Sequence, residues 1–326
     1  MTAQKRQSSR AKRSAVEGPR GKSNDSQQGG KPGLARSAGC VTASTALGMT
    51  AGSRLRQLLR TGCVAMPGVF NAAMGRLVER AGFDALYISG AGLCNATAGV
   101  PDIGLLTLTE VAQLAGYIAR AVKIPAIVDA DTGFGGAENA ARTIEEFERA
   151  GLAGCHIEDQ EFPKRCGHLA GKTLVEVEDM KEKIAAASAA RRDKDFLLIA
   201  RTDARAVESF AKAVERAQSY LAAGADAIFP EALQNEKEFR DFAREVKAPL
   251  LANMTEFGKS PLLSLEELAN LGYRMVIYPQ TAFRVSMFAA GQMLRDLKKT
   301  GTQQSWLDRM QTRQELYGLL NYDPTK

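Results

Sequence analysis

Ala150-Gly151-Leu152-Ala153-Gly154-Cys155-His156-Ile157-Glu158-Asp159-Gln160 runs from the end of an amphipathic stretch, through a glycine, into a short apolar segment that closes on acids. A glycine at such a junction supplies the left-handed residue that ends a helix and turns the chain into a strand. The same junction recurs at Ala81-Gly82-Phe83-Asp84, Ala223-Gly224-Ala225-Asp226 and Leu271-Gly272-Tyr273. Outward from it, beginning near residue 54, short apolar runs alternate with amphipathic stretches, the pattern of a parallel sheet covered by helices. Strands are predicted at 63–66, 85–89, 126–129, 154–157, 196–200, 227–229, 250–252 and 275–278. Helices are predicted at 70–81, 108–122, 138–150, 176–191, 206–223, 234–246, 264–271 and 283–299. Eight strand–helix units in about 240 residues predict an α/β protein of the (β/α)8 TIM-type barrel class. No Gly-x-Gly-x-x-Gly loop follows the first strand, which removes the dinucleotide-binding open sheet. One further helix, roughly 303–320, carries Trp306, Leu307, Met310, Leu316 and Leu319 and calls for a partner surface on the barrel or on a second subunit.

The 326 residues carry a formal charge of +6, but the charge is uneven. Residues 1–50 hold nine Lys/Arg against two acids, leaving 34 basic and 35 acidic residues for the rest. The chain therefore divides into a basic tail, 1–50, and a neutral barrel domain, 51–326. A tail rich in Ser, Gly and Gln cannot bury enough apolar surface to order itself. It reads as a transit peptide, as a weak polyanion-binding arm or, preferred here, as an extension without catalytic relevance, since Met49 opens a more ordinary start. No nucleic-acid partner is expected of the neutral body. No run of about 18 apolar residues exists, so no membrane span is expected. The five cysteines, Cys40, Cys63, Cys94, Cys155 and Cys166, are odd in number and scattered, which predicts free thiols in a reducing compartment. The cytoplasm fits best, with the mitochondrion as the eukaryotic variant if the tail is a transit peptide.

In such a barrel, chemistry collects at the carboxyl ends of the strands. Nearly every predicted strand ends there in polar residues: Tyr87-Ile88-Ser89-Gly90-Ala91-Gly92, Asp129-Ala130-Asp131, Glu158-Asp159, Arg201-Thr202-Asp203, Pro230-Glu231, Asn253-Met254-Thr255-Glu256 and Tyr278-Pro279 running toward Arg284. Asp129 and Asp131, two apart, can face one side of a strand end, with Glu158 and Asp159 on the next strand. Oxygen donors without thiolate or imidazole favour a hard cation, Mg²⁺ or Mn²⁺, over the plainer reading of helix caps and lysine partners. The charged loop 160–171 with Gly167 and Gly171 reads as a lid. In it Cys166 stands between Arg165 and His168, cations that lower a thiol's pKa and suit it to proton transfer or attack. Arg201, Arg284 and Arg313 are candidate carboxylate grips, implying a dicarboxylate or tricarboxylate substrate; a surface role competes most strongly for Arg313.

From about 55 to 322 these residues resemble the isocitrate lyase and phosphoenolpyruvate mutase superfamily, most closely its 2-methylisocitrate lyase branch. The segments that carry the resemblance include Gly99-Val-Pro-Asp-Ile-Gly104, Val128-Asp-Ala-Asp-Thr-Gly-Phe-Gly135, His156-Ile-Glu-Asp-Gln160, Lys164-Arg-Cys-Gly-His168 and Met310-Gln-Thr-Arg-Gln-Glu-Leu-Tyr317. The resemblance implies that Asp129 and Asp131 hold Mg²⁺, with Glu158 reaching it through water. It makes Cys166 the general acid and Tyr87 the base for the alcohol proton. It gives Ser89, Gly90 and Ala91 to a substrate carboxylate, and Asp102, Gly167, His168, Arg201, Glu231, Asn253, Thr255, Arg284 and Arg313 to the rest of the pocket. It further implies an eighth helix swapped between subunits and a homotetramer built as a dimer of dimers. The implied reaction is retro-aldol cleavage of 2-methylisocitrate to pyruvate and succinate, as in propionate catabolism. Phe229 and Ile277 would form the apolar wall beside the methyl group. Alternatives within the superfamily are a 2,3-dimethylmalate lyase, an oxaloacetate decarboxylase and a carboxyphosphonoenolpyruvate phosphonomutase. Three departures bear on this choice: Ala91 in place of Gly, Leu169-Ala170-Gly171 in place of Arg-Pro-Asn, and a first strand, Met66-Pro-Gly-Val-Phe-Asn71, closer to the mutases.

Overall fold

The computed structural model describes residues 48–165, 167 and 171–326. Helix α1 (Ala51–Thr61) leads into β1 (Val64–Val69), α2 (Ala72–Arg80) and β2 (Leu86–Ile88). After β2 come a short α3 (Gly90–Leu93), a π-helical turn (Cys94–Ala98) and α4 (Leu108–Ala121). Alternation then continues through β3 (Ala126–Asp129), α5 (Ala137–Arg149), β4 (Gly154–Glu158), α6 (Val177–Ala190) and β5 (Leu197–Thr202). Next are α7 (Ala204–Val207), α8 (Phe210–Ala222), β6 (Ala227–Pro230), α9 (Glu236–Glu245), β7 (Leu251–Asn253), α10 (Leu265–Asn270) and β8 (Met275–Tyr278). The chain finishes with α11 (Thr281–Thr300), a 3₁₀ turn (Gln304–Arg309) and α12 (Arg313–Leu320).

All eight strands pair in parallel, in the order β6-β5-β4-β3-β2-β1-β8-β7. Register runs Val64↔Met275 on one side of β1 and Gly68↔Tyr87 on the other. The last seam, β6 to β7, is joined by the bridge Ile228↔Leu250, so the sheet comes round as the expected barrel. Gly68 permits the β1–β8 seam, because a Cβ there would lie 2.2 Å from the Pro279 carbonyl oxygen. The four helix-ending glycines, Gly82, Gly151, Gly224 and Gly272, all take positive φ, as the junction chemistry requires.

Strand residues divide by parity between two apolar clusters. One gathers Val64, Met66, Tyr87, Ile127, Leu197, Ile199, Ala227, Phe229, Leu251, Met275 and Ile277, the inward faces of the strands. The other sets Val69, Leu86, Ile88, Val128, Cys155, Ile157, Leu198 and Ile228 against the surrounding helices. Continuing the inward parity past the strand ends reaches Ser89, Asp129, Asp131, Arg201, Glu231, Asn253 and Thr255. A period of two thus carries each strand from barrel filling into the site.

Three features differ from expectation. Helix α1 was not anticipated: its three arginines resemble the polar tail, yet Leu55 and Leu59 join the barrel-interior cluster. The helix expected over 206–223 breaks at Glu208, and Ser209 caps α8 by accepting a hydrogen bond from Lys212 N. The helix expected over 303–320 is likewise two pieces. Met310 is extended, and Thr312 with Glu315 forms a capping box that starts α12.

Candidate active site

A cavity of about 720 Å³ opens at the carboxyl ends of the strands. Tyr87, Ser89, Ala91, Asp102, Asp129, Glu158, Gly167, Arg201, Glu231, Asn253, Thr255 and Arg284 line it. Asp131 lies beside this lining, and Gly90 backs Asp129, where a Cβ would stand 2.7 Å from Oδ2. Arg313 is exposed at the start of α12 and does not line the cavity of this chain. Cys166 and His168 lie outside the described residues, as does the tail 1–47.

The acids are held individually. Asp129 Oδ1 accepts from the backbone N–H of Asp131 at 2.9 Å, which Asp131 permits by taking a left-handed φ of 46°. The Asp131 carbonyl in turn accepts from Glu158 N at 2.9 Å, locking the ends of β3 and β4 together. Lys164 Nζ reaches from the loop after β4 to Asp131 Oδ1 at 2.7 Å and also contacts Asp102. Burial opposes the ammonium, but Asp131, Asp102, Glu158 and Asp129 outweigh it and keep Lys164 charged. Burial also pushes the Asp131 carboxyl up to about 6 despite Lys164. Glu158 is raised well above the usual carboxylate range by burial, with Arg201 acting against the shift.

Oxygen donors dominate here, and Glu158 Oε1 is buried without a hydrogen-bond partner. This donor chemistry fits a hard cation. Among the described residues, however, no three acids are gathered around one point, and the Lys164 ammonium supplies the positive charge between Asp102 and Asp131.

Tyr87 and His156 form a buried pair beneath the acids. The Tyr87 hydroxyl lies 2.9 Å from His156 Nε2 and 3.4 Å from Asp129 Oδ2, with the two rings stacked. Burial, then the Asp129 charge, raises the phenol well above its ordinary range. Burial lowers the imidazole to about 4, so His156 is neutral near pH 7. His156 thus belongs to the site through Tyr87, a role its position in the sequence did not disclose.

On the opposite wall Arg201 lies over the Phe229 ring, 4.9 Å from its centroid. Its guanidinium reaches Glu158 Oε2 at 3.2 Å, Asp203 Oδ2 at 3.0 Å and Glu231 Oε2 at 3.2 Å. Asn253 Nδ2 donates to Glu231 Oε2 at 3.1 Å. Arg284 stands at the rim, 3.5 Å from Glu256, with its side chain 47% exposed, so it is accessible to an incoming anion. Ile277, Phe229 and Phe283 supply apolar lining.

The phosphoenolpyruvate phosphomutase family profile matches residues 55–298. The chain belongs to that family. A 2-methylisocitrate lyase of Aeropyrum pernix is 55% identical over 269 residues, covering 82% of this chain and 86% of its relative. The 2-methylisocitrate lyase of Escherichia coli is 46% identical over 256 residues, covering 78% and 86%. Among solved structures, 2,3-dimethylmalate lyase, a PEP mutase/isocitrate lyase superfamily member, superposes with a TM-score of 0.80 at 37% identity, covering 83% and 92%. Phosphonopyruvate hydrolase in complex with oxalate and Mg²⁺ gives a TM-score of 0.76 at 33% identity, covering 84% and 95%. Within the phosphomutase family this chain is an enzyme of the carbon–carbon lyase class.

Proposed function

We propose that the protein cleaves 2-methylisocitrate to pyruvate and succinate in a Mg²⁺-dependent retro-aldol reaction. One observation carries the reading: Arg201 and the acids Asp129 and Glu158 face a single cavity whose remaining wall is apolar at Phe229 and Ile277. A substrate with carboxylates, a hydroxyl and a methyl group matches that division. The names of the relatives support it.

Asp129 and Asp131 would hold the metal, with Glu158 behind them, and Lys164 would yield its place on Asp131. A cation held by these residues would supply Lewis-acid chemistry, lowering the pKa of a substrate hydroxyl and polarising the adjacent carboxylate. Tyr87 is the group assigned to the alcohol proton, its hydroxyl held 2.9 Å from His156 Nε2 and 3.4 Å from Asp129 Oδ2. Arg201, Asn253 and Thr255 offer fixed donors to the carboxylate on which negative charge grows as the C–C bond breaks. Cys166, next to Gly167 in sequence, protonates the carbanionic carbon. Superposition with 2,3-dimethylmalate lyase favours that malate derivative as the second candidate.

Product analysis decides. Purified enzyme with Mg²⁺ is given methylisocitrate, isocitrate and dimethylmalate in turn. Pyruvate plus succinate from the first, with little glyoxylate from the second, is expected; cleavage of none of the three refutes the lyase reading.

Helix α11 has no buried residue and exposes Val285, Met287, Phe288 and Leu294. A second copy of the chain covering this face, within a tetramer, accounts for it and is tested by light scattering at micromolar concentration. No described helix is long and apolar enough to cross a membrane. We place the enzyme in the cytoplasm.

A further inference from the structure

The loop after β4 leaves and rejoins the barrel through a short paired stem. Glu161 N donates to Thr173 O at 3.0 Å, Val175 N donates to Asp159 O at 3.0 Å, and Gln160 bridges Leu174. Beyond this stem, two side chains bracket position 166. The Gln160 amide clasps the Arg165 backbone, donating to its carbonyl and accepting from its N–H, both at 2.9 Å. On the other side Lys172 Nζ donates to the Gly167 carbonyl and, at 2.5 Å, to Asp203 Oδ1.

Burial makes Lys172 informative. Its side chain is 1% exposed and that of Asp203 is fully buried, and a buried ammonium is costly unless well paired. Asp203 is immobilised from both sides: Arg201 Nε donates to its Oδ2 at 3.0 Å, and its own backbone N–H donates to Asp159 Oδ1 at 2.9 Å. Gly167 is pressed directly onto the anion-binding wall. A Cβ there would stand 2.3 Å from Arg201 Nη2 and 2.6 Å from Glu231 Cγ.

We propose that Lys172 is a positioning residue, whose clasp between the Gly167 carbonyl and Asp203 sets the height of Gly167, the sequence neighbour of the proposed proton donor, above Arg201. Lys172 makes none of the stem's hydrogen bonds, so its loss leaves the stem paired and frees Gly167 to shift, while Asp203, left without that ammonium, lowers the stability of the variant. This inference rests on the lyase reading. It adds that the protonation step, rather than substrate binding, depends on Lys172.

The test compares wild type, Lys172→Met and Lys172→Gln as full chains with Mg²⁺ and 2-methylisocitrate. A misplacement of about 1 Å costs on the order of 10²-fold in rate. For Lys172→Met we expect kcat to fall by about that factor, KM to stay within about threefold, and the solvent deuterium isotope effect on kcat to rise. The glutamine variant keeps a donor for the carbonyl and should lose about tenfold; it carries the test on the same criteria if the methionine variant does not fold. A kcat within about threefold of wild type, a loss confined to KM, or an unchanged isotope effect overturns the assignment. Wild type separates the two readings: if it releases no pyruvate the lyase reading fails, whereas an active wild type with an equally active variant refutes only the role of Lys172.

Discussion

Replacing Gly90 by Ala tests the geometry of the acid cluster with a single carbon atom. Gly90 opens α3 directly after its N-cap, Ser89, and its φ lies outside the left-handed range, so alanine is conformationally acceptable. Alanine is also the better helix former, by as much as about 1 kcal/mol. Local stability therefore should not suffer. The new Cβ would stand 2.7 Å from Asp129 Oδ2 and 2.9 Å from its Cγ, where ordinary contact begins at 3.4 Å. Asp129 cannot swing away cheaply, because the Asp131 N–H holds one oxygen and the Tyr87 hydroxyl faces the other. The carboxylate must shift by about 0.7 Å, and since 1 Å costs on the order of 10²-fold, a loss of roughly 20- to 30-fold in kcat/KM is expected. That corresponds to about 2 kcal/mol of transition-state stabilisation. Steady-state kinetics across a Mg²⁺ titration, with thermal unfolding as the control, measures it. The Mg²⁺ concentration for half-maximal activity should rise while the unfolding midpoint holds or increases. A kcat/KM within about threefold of wild type, at an unchanged Mg²⁺ requirement, would refute the placement of Asp129 as a fixed metal ligand.

Two further outcomes follow from other groups. Lys164→Met leaves Asp102 and Asp131 without their shared ammonium, and stripping one partner from a buried ion pair costs about 3–5 kcal/mol. Its unfolding midpoint should fall by roughly 5–10 °C in chelator and by much less in saturating Mg²⁺, which can neutralise the same acids; equal losses in both would rule this out. Burial pushes the half-buried Cys63 thiol up to about 11, with Arg274 opposing. Its reactive thiolate is therefore scarce at pH 8, and its alkylation, followed by mass spectrometry, should run at least about 100-fold slower than that of a free thiol. Because the shift is upward, the rate should climb about tenfold per pH unit until pH approaches 11; a plateau near pH 9 would contradict the burial.

The barrel was legible because its signals are local. A Gly after an amphipathic stretch forces the left-handed turn wherever it occurs, and Gly82, Gly151, Gly224 and Gly272 all take it. Alternation within a strand fixes which residues face inward, so Tyr87, Asp129, Arg201, Glu231 and Asn253 reach one cavity as expected from position alone. The break before α12 was legible too, in Thr312-Arg313-Gln314-Glu315, but a continuous apolar stripe overrode that signal in the reading of 303–320.

What the sequence by itself determined is the set of strands, their inward faces and the rim of acids and arginines, since period and cap chemistry act over a few residues. Tertiary structure alone decided the partners. Lys164 pairs with Asp102 and Asp131, Lys172 joins Gly167 to Asp203, and Tyr87 meets His156 across a gap of 69 residues. Leu55 and Leu59 of an unanticipated helix enter the barrel interior, while Arg313 stays on the surface of the single chain. Loops have no period to read. The path of a charged side chain from a loop is set by which buried counter-charge it can reach, and that becomes defined only once the barrel has brought its strand ends together.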